Sequence, residues 1–355
     1  ASLLQRPMES PDQLIQQALR LGILTIVLME QGKPSGKASK GLHSKVGYGL
    51  LSKSKVFIGV VGHPPSKLVS SLLKETSHKA SPSVQLLSLG DWIPANGSFL
   101  PFACTSGEAE LLLSSGNIHL LLAGPTADPS LLELCQILKL PIVTSKDPSK
   151  ARDILSLARQ HFSTRSQERV VFDPSLVGEG QVTMSVIELK KVIEKSSFDK
   201  VALLGGSDTT QQPMGWLPVE VANALFGEDY LVASWGDAAL WMIKNGLTSE
   251  KRDSAVTILD EKQGPLLALK ALAAAGKLEH LKGVCFTGLK ACQDLAMALG
   301  LASLGVKVCV AVPLPLWGSE NVRNLLGEKL KAVNTTLTHF DHPVHVQEIL
   351  ELFSK

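Results

Sequence analysis

A short apolar run that ends in glycine and turns at once into a helical pattern occurs twice in this chain, as VFIGVVGH at residues 56–63 and as VALLGGSD at residues 201–208. Strand, glycine loop and helix in that order form the repeating unit of an open parallel sheet. In such a sheet the carboxyl ends of the strands face one crevice, so the turn Gly205-Gly206-Ser207-Asp208 is expected to look into a ligand site.

The same rhythm runs through most of the chain. Helical spacing over residues 11–21 precedes a short apolar run at 24–29, and the Gly-, Lys- and Ser-rich stretch 31–44 reads as loop. Strands are then expected at 56–61, 84–89, 118–123 and 141–144, with helices at 67–76, 104–113 and 129–138 between them. Between residues 160 and 181 the periodicity fails in a polar, turn-rich stretch. It resumes with strands at 201, 230–234, 283–286 and 306–312, and with helices at 187–195, 217–225, 238–245, 265–275, 292–304 and 344–353. With 355 residues, 45% of them hydrophobic and 19% charged, the chain can fill two cores. The expectation is an α/β protein of two Rossmann-like, doubly wound domains with mainly parallel sheets. Residues 1–165 form the first, 166–181 a linker and 182–355 the second.

Several function classes are disfavoured. A net charge of +2 without a like-charged block, and only 5% aromatic residues, give neither a phosphate-tracking stripe nor a base-stacking platform, so no nucleic-acid partner is expected. Five cysteines, odd in number and without a CxxC, fit free thiols in a reducing, cytoplasmic setting rather than a disulfide framework. No secretory pattern follows Ala1, and a start at Ala1 rather than Met is expected of a segment of a longer or processed chain. Residues 295–317 carry one charge in 23 residues, yet Gly300, Gly305 and Lys307 interrupt them, so a buried helix, turn and strand are expected instead of a membrane span. No GxGxxG follows a strand and no Walker lysine follows a glycine loop, so neither NAD nor ATP is expected.

His63, Cys104 and Cys292 each fall at an expected strand end or at the start of the helix after it. One imidazole and two thiolates suit Zn, Ni or Fe, one ligand short of a closed tetrahedral site. The competing reading is that the cysteines simply pack, since free Cys is among the most buried residue types.

Six motifs, in order, carry a family resemblance that spans nearly the whole chain. Val60-Val61-Gly62-His63-Pro64 resembles the histidine-bearing strand end of the nickel-iron carbon monoxide dehydrogenase catalytic subunit, and Cys104-Thr105-Ser106-Gly107-Glu108 its Cys-Thr-Gly-Asn-Glu turn. Leu204-Gly205-Gly206-Ser207-Asp208 stands where that family has a Val-Gly-Cys-Asn loop. Ser234-Trp235-Gly236-Asp237-Ala238, with Lys244-Asn245-Gly246-Leu247 after it, stands where it has Thr-Gly-Cys and a Lys-x-Gly-Leu tail. Ala291-Cys292-Gln293-Asp294 is similar to Ser-Cys-Val-Asp, and residues 313–320 (PLPLWGSE) to Ala-Pro-Glu-Trp-x-x-Glu-Lys.

That resemblance implies that His63 and Cys104 hold an outlying iron and Cys292 serves a nickel. The cysteines of the iron-sulfur cage fall at Ser207, Asp237 and one of Pro125, Thr126 and Ala127, none of which is cysteine. A hydroxyl and a carboxylate replace thiolates poorly at an iron-sulfur cluster, so no complete cage is expected. Asn321 stands where the family has its catalytic lysine, and the N-terminal helical domain with its relay cysteines has no counterpart. The expected function is that of a cluster-deficient, partner-binding subunit of a carbon monoxide dehydrogenase/acetyl-CoA synthase type assembly, with Gly205, Gly206, Ser207 and Asp237 as remnants of the cofactor site. Alternatives are a metalloprotein using His63, Cys104 and Cys292, with Asp237 or Glu108 as a fourth ligand, and a small-molecule binder using a cleft between the domains. An enzyme on this scaffold would be an oxidoreductase of one-carbon metabolism.

Overall fold

The computed structural model describes residues 10–354, except 32–41, 78–80, 96–97, 165–168, 184, 249–255, 260, 262–263, 315–317 and 341. The chain divides into two compact units, the first of residues 36–182 and 240–252, the second of residues 1–35, 183–239 and 253–355. It opens with α1 (Pro11–Gln31), one helix that continues through the run 24–29. That run contains β-branched residues, yet α1 belongs to the second unit, where burial of Ile15, Gly22 and Ile26 overrides their modest strand preference.

The first unit contains β1 (Leu42–Val46), β2 (Val56–Val61), α2 (Ser66–Thr76), β3 (Val84–Leu89), the small hairpin β4 (Pro94–Ala95) and β5 (Ser98–Phe99), and β6 (Phe102–Cys104). It continues with α3 (Ala109–Ser114), β7 (Leu120–Ala123), α4 (Pro129–Ile137), β8 (Ile142–Val143), α5 (Ala151–Thr164) and β9 (Gly178–Thr183). The strand order is β9-β1-β6-β3-β2-β7-β8, parallel throughout except for β1 against β9. Alternation along β2 supplies both faces. Val56, Ile58 and Val60 pack with Leu68, Leu72 and Ile154 of α2 and α5, while Phe57 and Val61 pack with Leu112 of α3 and Leu131 of α4. A start signal fixes α4: the Asp128 side chain accepts the Ser130 amide at 2.9 Å, and Pro129 is the first helical residue.

Residues 42–44 of the expected loop and 178–181 of the expected linker belong instead to strands β1 and β9. Their sequences, LHSKV and GEGQVT, are not apolar runs, and what fixes them is a five-residue antiparallel register, Leu42 with Val182 through Val46 with Gly178. The part of the expected linker at 166–168 lies outside the described residues.

The second unit holds α1, α6 (Val186–Lys195), β10 (Lys200–Gly205), α7 (Trp216–Gly227), β11 (Tyr230–Ser234) and the start of α8 (Gly236–Lys244). There follow β12 (Val256–Leu259), α9 (Gly264–Ala274), β13 (Leu281–Phe286), α10 (Cys292–Ser303), β14 (Val308–Val310), α11 (Glu320–Lys331), β15 (Leu337–His339) and α12 (Val346–Ser354). Its strand order is β12-β11-β10-β13-β14-β15, all parallel. Numbered from β10 this is the doubly wound order 3-2-1-4-5-6, with its switch point between β10 and β13. Numbered from β2, the first unit's β6-β3-β2-β7-β8 is the same order without its last strand, with its switch point between β2 and β7. The expected fold class is therefore the observed one. No helix among the described residues is long and apolar enough to cross a membrane.

One contact holds α1 in place. A Cβ on Gly22 would lie 2.5 Å from the Gly300 nitrogen, and one on Gly300 would lie 2.4 Å from the Gly22 carbonyl oxygen. The backbones of α1 and α10 touch there, and only glycine permits it.

Candidate functional site

Each unit has a crevice at its switch point, and in each the glycines fit one loop against another. In the second unit the Thr287 amide donates to the Gly205 carbonyl at 2.8 Å and the Ser207 amide to the Gly288 carbonyl at 3.2 Å. Gly206 has φ 100°, and a Cβ there would lie 2.2 Å from the Gly288 carbonyl oxygen. A Cβ on Gly205 would lie 2.0 Å from the Trp235 indole. The room these glycines leave is filled by protein, where a dinucleotide fold would admit a pyrophosphate. The first unit repeats the arrangement. The Gly124 amide donates to the Val61 carbonyl at 2.8 Å, the Thr126 amide to the Gly62 carbonyl at 3.1 Å, and a Cβ on Gly124 would lie 2.0 Å from the Gly62 carbonyl oxygen.

Beyond the second unit's locked loops, Ser207 and Asp237 meet. The Ser207 hydroxyl donates to Asp237 Oδ2 at 2.6 Å, and the Asp237 side chain lies on the first turn of α8, almost fully buried. The neighbouring Asp208 accepts the Gly215 amide at 2.8 Å, and the Thr209 hydroxyl accepts the Gln211 amide at 3.1 Å, so the loop after β10 is tied by its own side chains. Asp208, Thr209 and Gln211 of this loop border a cavity of about 460 Å³ that Lys290, Cys292 and Leu314 also line.

Cys292 is the first residue of α10 and its thiol is exposed. The amides just before it are taken. Asp294 Oδ2 accepts from Lys290 at 2.7 Å and from Ala291 at 3.1 Å, so the protein's own carboxylate sits where an anion would bind at this helix start. Burial, reinforced by the charge of Asp237, pushes the Asp294 carboxyl above the ordinary range, against the opposing pull of those amides and of Lys290.

In the first unit, His63 follows β2 with φ 54°, a conformation uncommon outside glycine, and its Nδ1 lies 3.2 Å from the Thr126 hydroxyl. The preceding Gly62 amide donates to Asp91 Oδ2 at 2.6 Å. Cys104 is the last residue of β6, not the start of a helix as the periodicity suggests, because α3 begins only at Ala109. Its thiol is fully buried in an apolar cluster with Leu89, Ala109 and Leu112.

Next to Cys104 lies a polar group that sequence reasoning reached only in part. Glu108, 5% exposed, uses both oxygens: Oε2 accepts the Thr105 amide at 3.0 Å and its hydroxyl at 3.2 Å, while Oε1 accepts the Tyr48 hydroxyl at 2.7 Å and the Lys244 ammonium. The ammonium lies 4.3 Å from the Tyr48 ring centroid and 4.4 Å from that of Trp241, a cation–π pair of contacts. Burial first, and then the Glu108 carboxylate, hold the Tyr48 phenol far above its usual range, so it stays a donor. As a fourth metal ligand Glu108 is already occupied. Lys244 and Tyr48 could not be assigned from sequence; the only signal was that Lys244 heads the Lys-x-Gly-Leu tail.

Among the described residues no group of three or more His, Cys, Asp or Glu side chains is gathered as a metal site requires. The donor pair at the expected cage positions is a hydroxyl already bonded to a carboxylate, which does not fit an iron-sulfur cage.

Solved structures share this fold. Carbon monoxide dehydrogenase IV from Carboxydothermus hydrogenoformans matches with a TM-score of 0.79 at 15% identity, over 96% of this chain and 66% of that one. The as-isolated, Ni-free carbon monoxide dehydrogenase from Thermococcus sp. AM4, produced without CooC maturase, matches with a TM-score of 0.72 at 17% identity, over 89% of this chain and 60% of that one. A structure of acetyl-CoA synthase/carbon monoxide dehydrogenase, described for NiZn[Fe4S4] and NiNi[Fe4S4] clusters in its alpha subunits, matches with a TM-score of 0.73 at 15% identity, over 89% of this chain and 58% of that one. The likeness is one of fold, and the chain spans about 58–66% of the length of these neighbours. No protein-family model matches the sequence, and no curated protein matches it.

Proposed function

We propose that this chain is a cluster-deficient relative of the carbon monoxide dehydrogenase catalytic subunit that serves as a partner-binding subunit of a carbon monoxide dehydrogenase/acetyl-CoA synthase type assembly. The observation that carries the reading is the Ser207–Asp237 hydrogen bond, at two positions where the resemblance calls for cage thiolates, on a fold shared with those enzymes. A carboxylate satisfied by a neighbouring hydroxyl has little affinity for iron held otherwise by sulfur. The isolated chain, purified without oxygen and supplied with iron and sulfide, should hold no stoichiometric labile sulfide. It should not reduce a viologen dye under carbon monoxide above a metal-free control; steady reduction would sink the reading.

The partner-binding half is supported by α1. Leu14, Leu21, Ile23, Leu24, Val27 and Leu28 are 41–58% exposed on this one helix. Leu14, Leu21 and Leu28 recur every seven residues with Leu24 between them, a spacing that suits packing against another helix. Substituting Leu21→Glu and Leu24→Glu should abolish co-purification of the partner while leaving the melting temperature unchanged.

A second reading keeps a single Ni, Fe or Zn ion on His63, Cys104 and Cys292. It is favoured by the left-handed backbone of His63, a conformation held at a cost of about 1–3 kcal/mol where function demands it. Metal analysis of wild-type and Cys292→Ala protein separates the readings, since only a real site loses a stoichiometric ion in the variant.

A further inference from the structure

The crevices at the strand carboxyl ends are not the largest space in the second unit. At the opposite edge of its sheet, where β10, β11, β13 and β14 begin, lies an open cavity of about 820 Å³. That volume is within the range of small-molecule sites, about 300–1,000 Å³. Its wall is apolar, with Leu266, Leu269, Leu281, Val306 and Phe353 among the lining residues, and Leu278 and Leu304 at its border remain about half exposed, at 49% and 55%.

The polar groups around this wall are unbalanced. Lys200, Lys270, Lys282 and Lys307 line the cavity against Glu30 and Glu279. Lys270 is paired with Glu30 at 3.1 Å, and Lys200 donates to the Glu228 carbonyl at 3.4 Å, as suits a cation near a helix end. Lys282 and Lys307, at the starts of the adjacent strands β13 and β14, have no carboxylate partner among the described residues. Gly283, which follows Lys282 on β13 and is level with Lys307 in the parallel register, adds no side chain, and a Cβ there would lie 2.7 Å from the Phe353 ring and 3.3 Å from the Lys307 carbonyl oxygen. The remaining carboxylate of the lining, Glu279, is 71% exposed and lies 3.5 Å from His280 Nε2, so two ammonium groups border an apolar hollow without an ion-pair partner among the described residues.

We propose that this cavity binds a free anionic amphiphile, a single alkyl or acyl chain with a carboxylate or phosphate head, the chain lying on the leucine wall and the head meeting Lys282 and Lys307. An apolar ligand would leave the lysines unused, and a small anion would leave the wall wet. The site lies at the strand edge opposite the Ser207–Asp237 pair, so it stands or falls independently of the proposed function.

Calorimetric titration with decanoate, decyltrimethylammonium and acetate tests this on the intact chain. Decanoate should bind one-to-one with a dissociation constant below about 1 mM, and the cation and acetate at least about tenfold more weakly. Lys282→Glu with Lys307→Glu should weaken decanoate at least about tenfold. Ala273→Trp, at an exposed lining position on α9, should do the same by filling the hollow while leaving the circular dichroism spectrum unchanged. The proposal is overturned if decanoate does not saturate, if the cation binds as well, or if both variants bind as the wild type does. Sedimentation with anionic phospholipid vesicles in the absence of decanoate binding overturns it too, since the surface would then be reading a bilayer.

Discussion

Glu108 shows how much a single buried carboxylate can organise in this protein. Four donors converge on it, and its ion pair with Lys244 has side chains only 7% and 17% exposed. Removing one member strands the other's charge away from water, so Lys244→Met should destabilise the protein by about 3 kcal/mol in urea unfolding. Adding Glu108→Gln to that variant should cost less than the sum of the two single changes, because the stranded charge is gone. Asp294 behaves oppositely. Its carboxyl is raised, so the folded state binds the proton more tightly than the unfolded chain. The resulting stability is fully present below the ordinary aspartate value of about 3.9 and is lost as pH rises through the higher native value. Asp294→Asn keeps an acceptor for the Lys290 and Ala291 amides and removes the charge. Its melting temperature should exceed that of the wild type at pH 7 and the gain should vanish near pH 3. At this scale the sequence was legible where motifs were local. Ser207 and Asp237 could be placed together through the family resemblance, whereas Lys244 and Glu108 are 136 residues apart and nothing in their spacing pairs them.

Among the elements, those that announce themselves are the strands buried on both faces. The runs at β2, β3, β10, β11 and β13 are apolar enough to be read directly. β1 and β9 are not, because their stability lies in a backbone ladder and not in apolar side chains. The single helix α1 reverses the usual difficulty, since its second half looks locally like a strand and is held helical by its partner α10. The glycine contact is where that pairing is most exposed to test. Gly22→Val would place side-chain atoms inside the α10 backbone, and should cost about 3 kcal/mol or more while opening Arg20 to trypsin. Unchanged stability and protection would mean that the two helices do not cross there.

For the molecule as a whole, the sequence supports two α/β cores of the doubly wound class but suggests a single cut between them. The structure groups α1 with the second unit and residues 240–252 with the first, so the chain passes between the units four times. Local periodicity cannot reveal that, because each returning segment reads as an ordinary helix of its own half. Limited proteolysis between residues 164 and 178 should be the first event, stopping short of β9, whose backbone is bonded to β1. The two products should remain associated through later purification, and residues 36–182 expressed alone should fail to fold, since Glu108 would then lack Lys244.

The placement of α1 also sets a timetable. On the ribosome this helix emerges well before its partner, because α10, which its glycine touches, begins only at Cys292, about 260 residues later. At elongation rates of about 5–20 residues per second, the nascent chain carries an unmatched leucine-rich helix for roughly 13–50 s before its groove exists. Both the buried and the outward apolar faces of α1 are open to solvent in that interval, and this is the period in which a holdase chaperone, or an early-binding partner, has most to gain by taking hold of the chain.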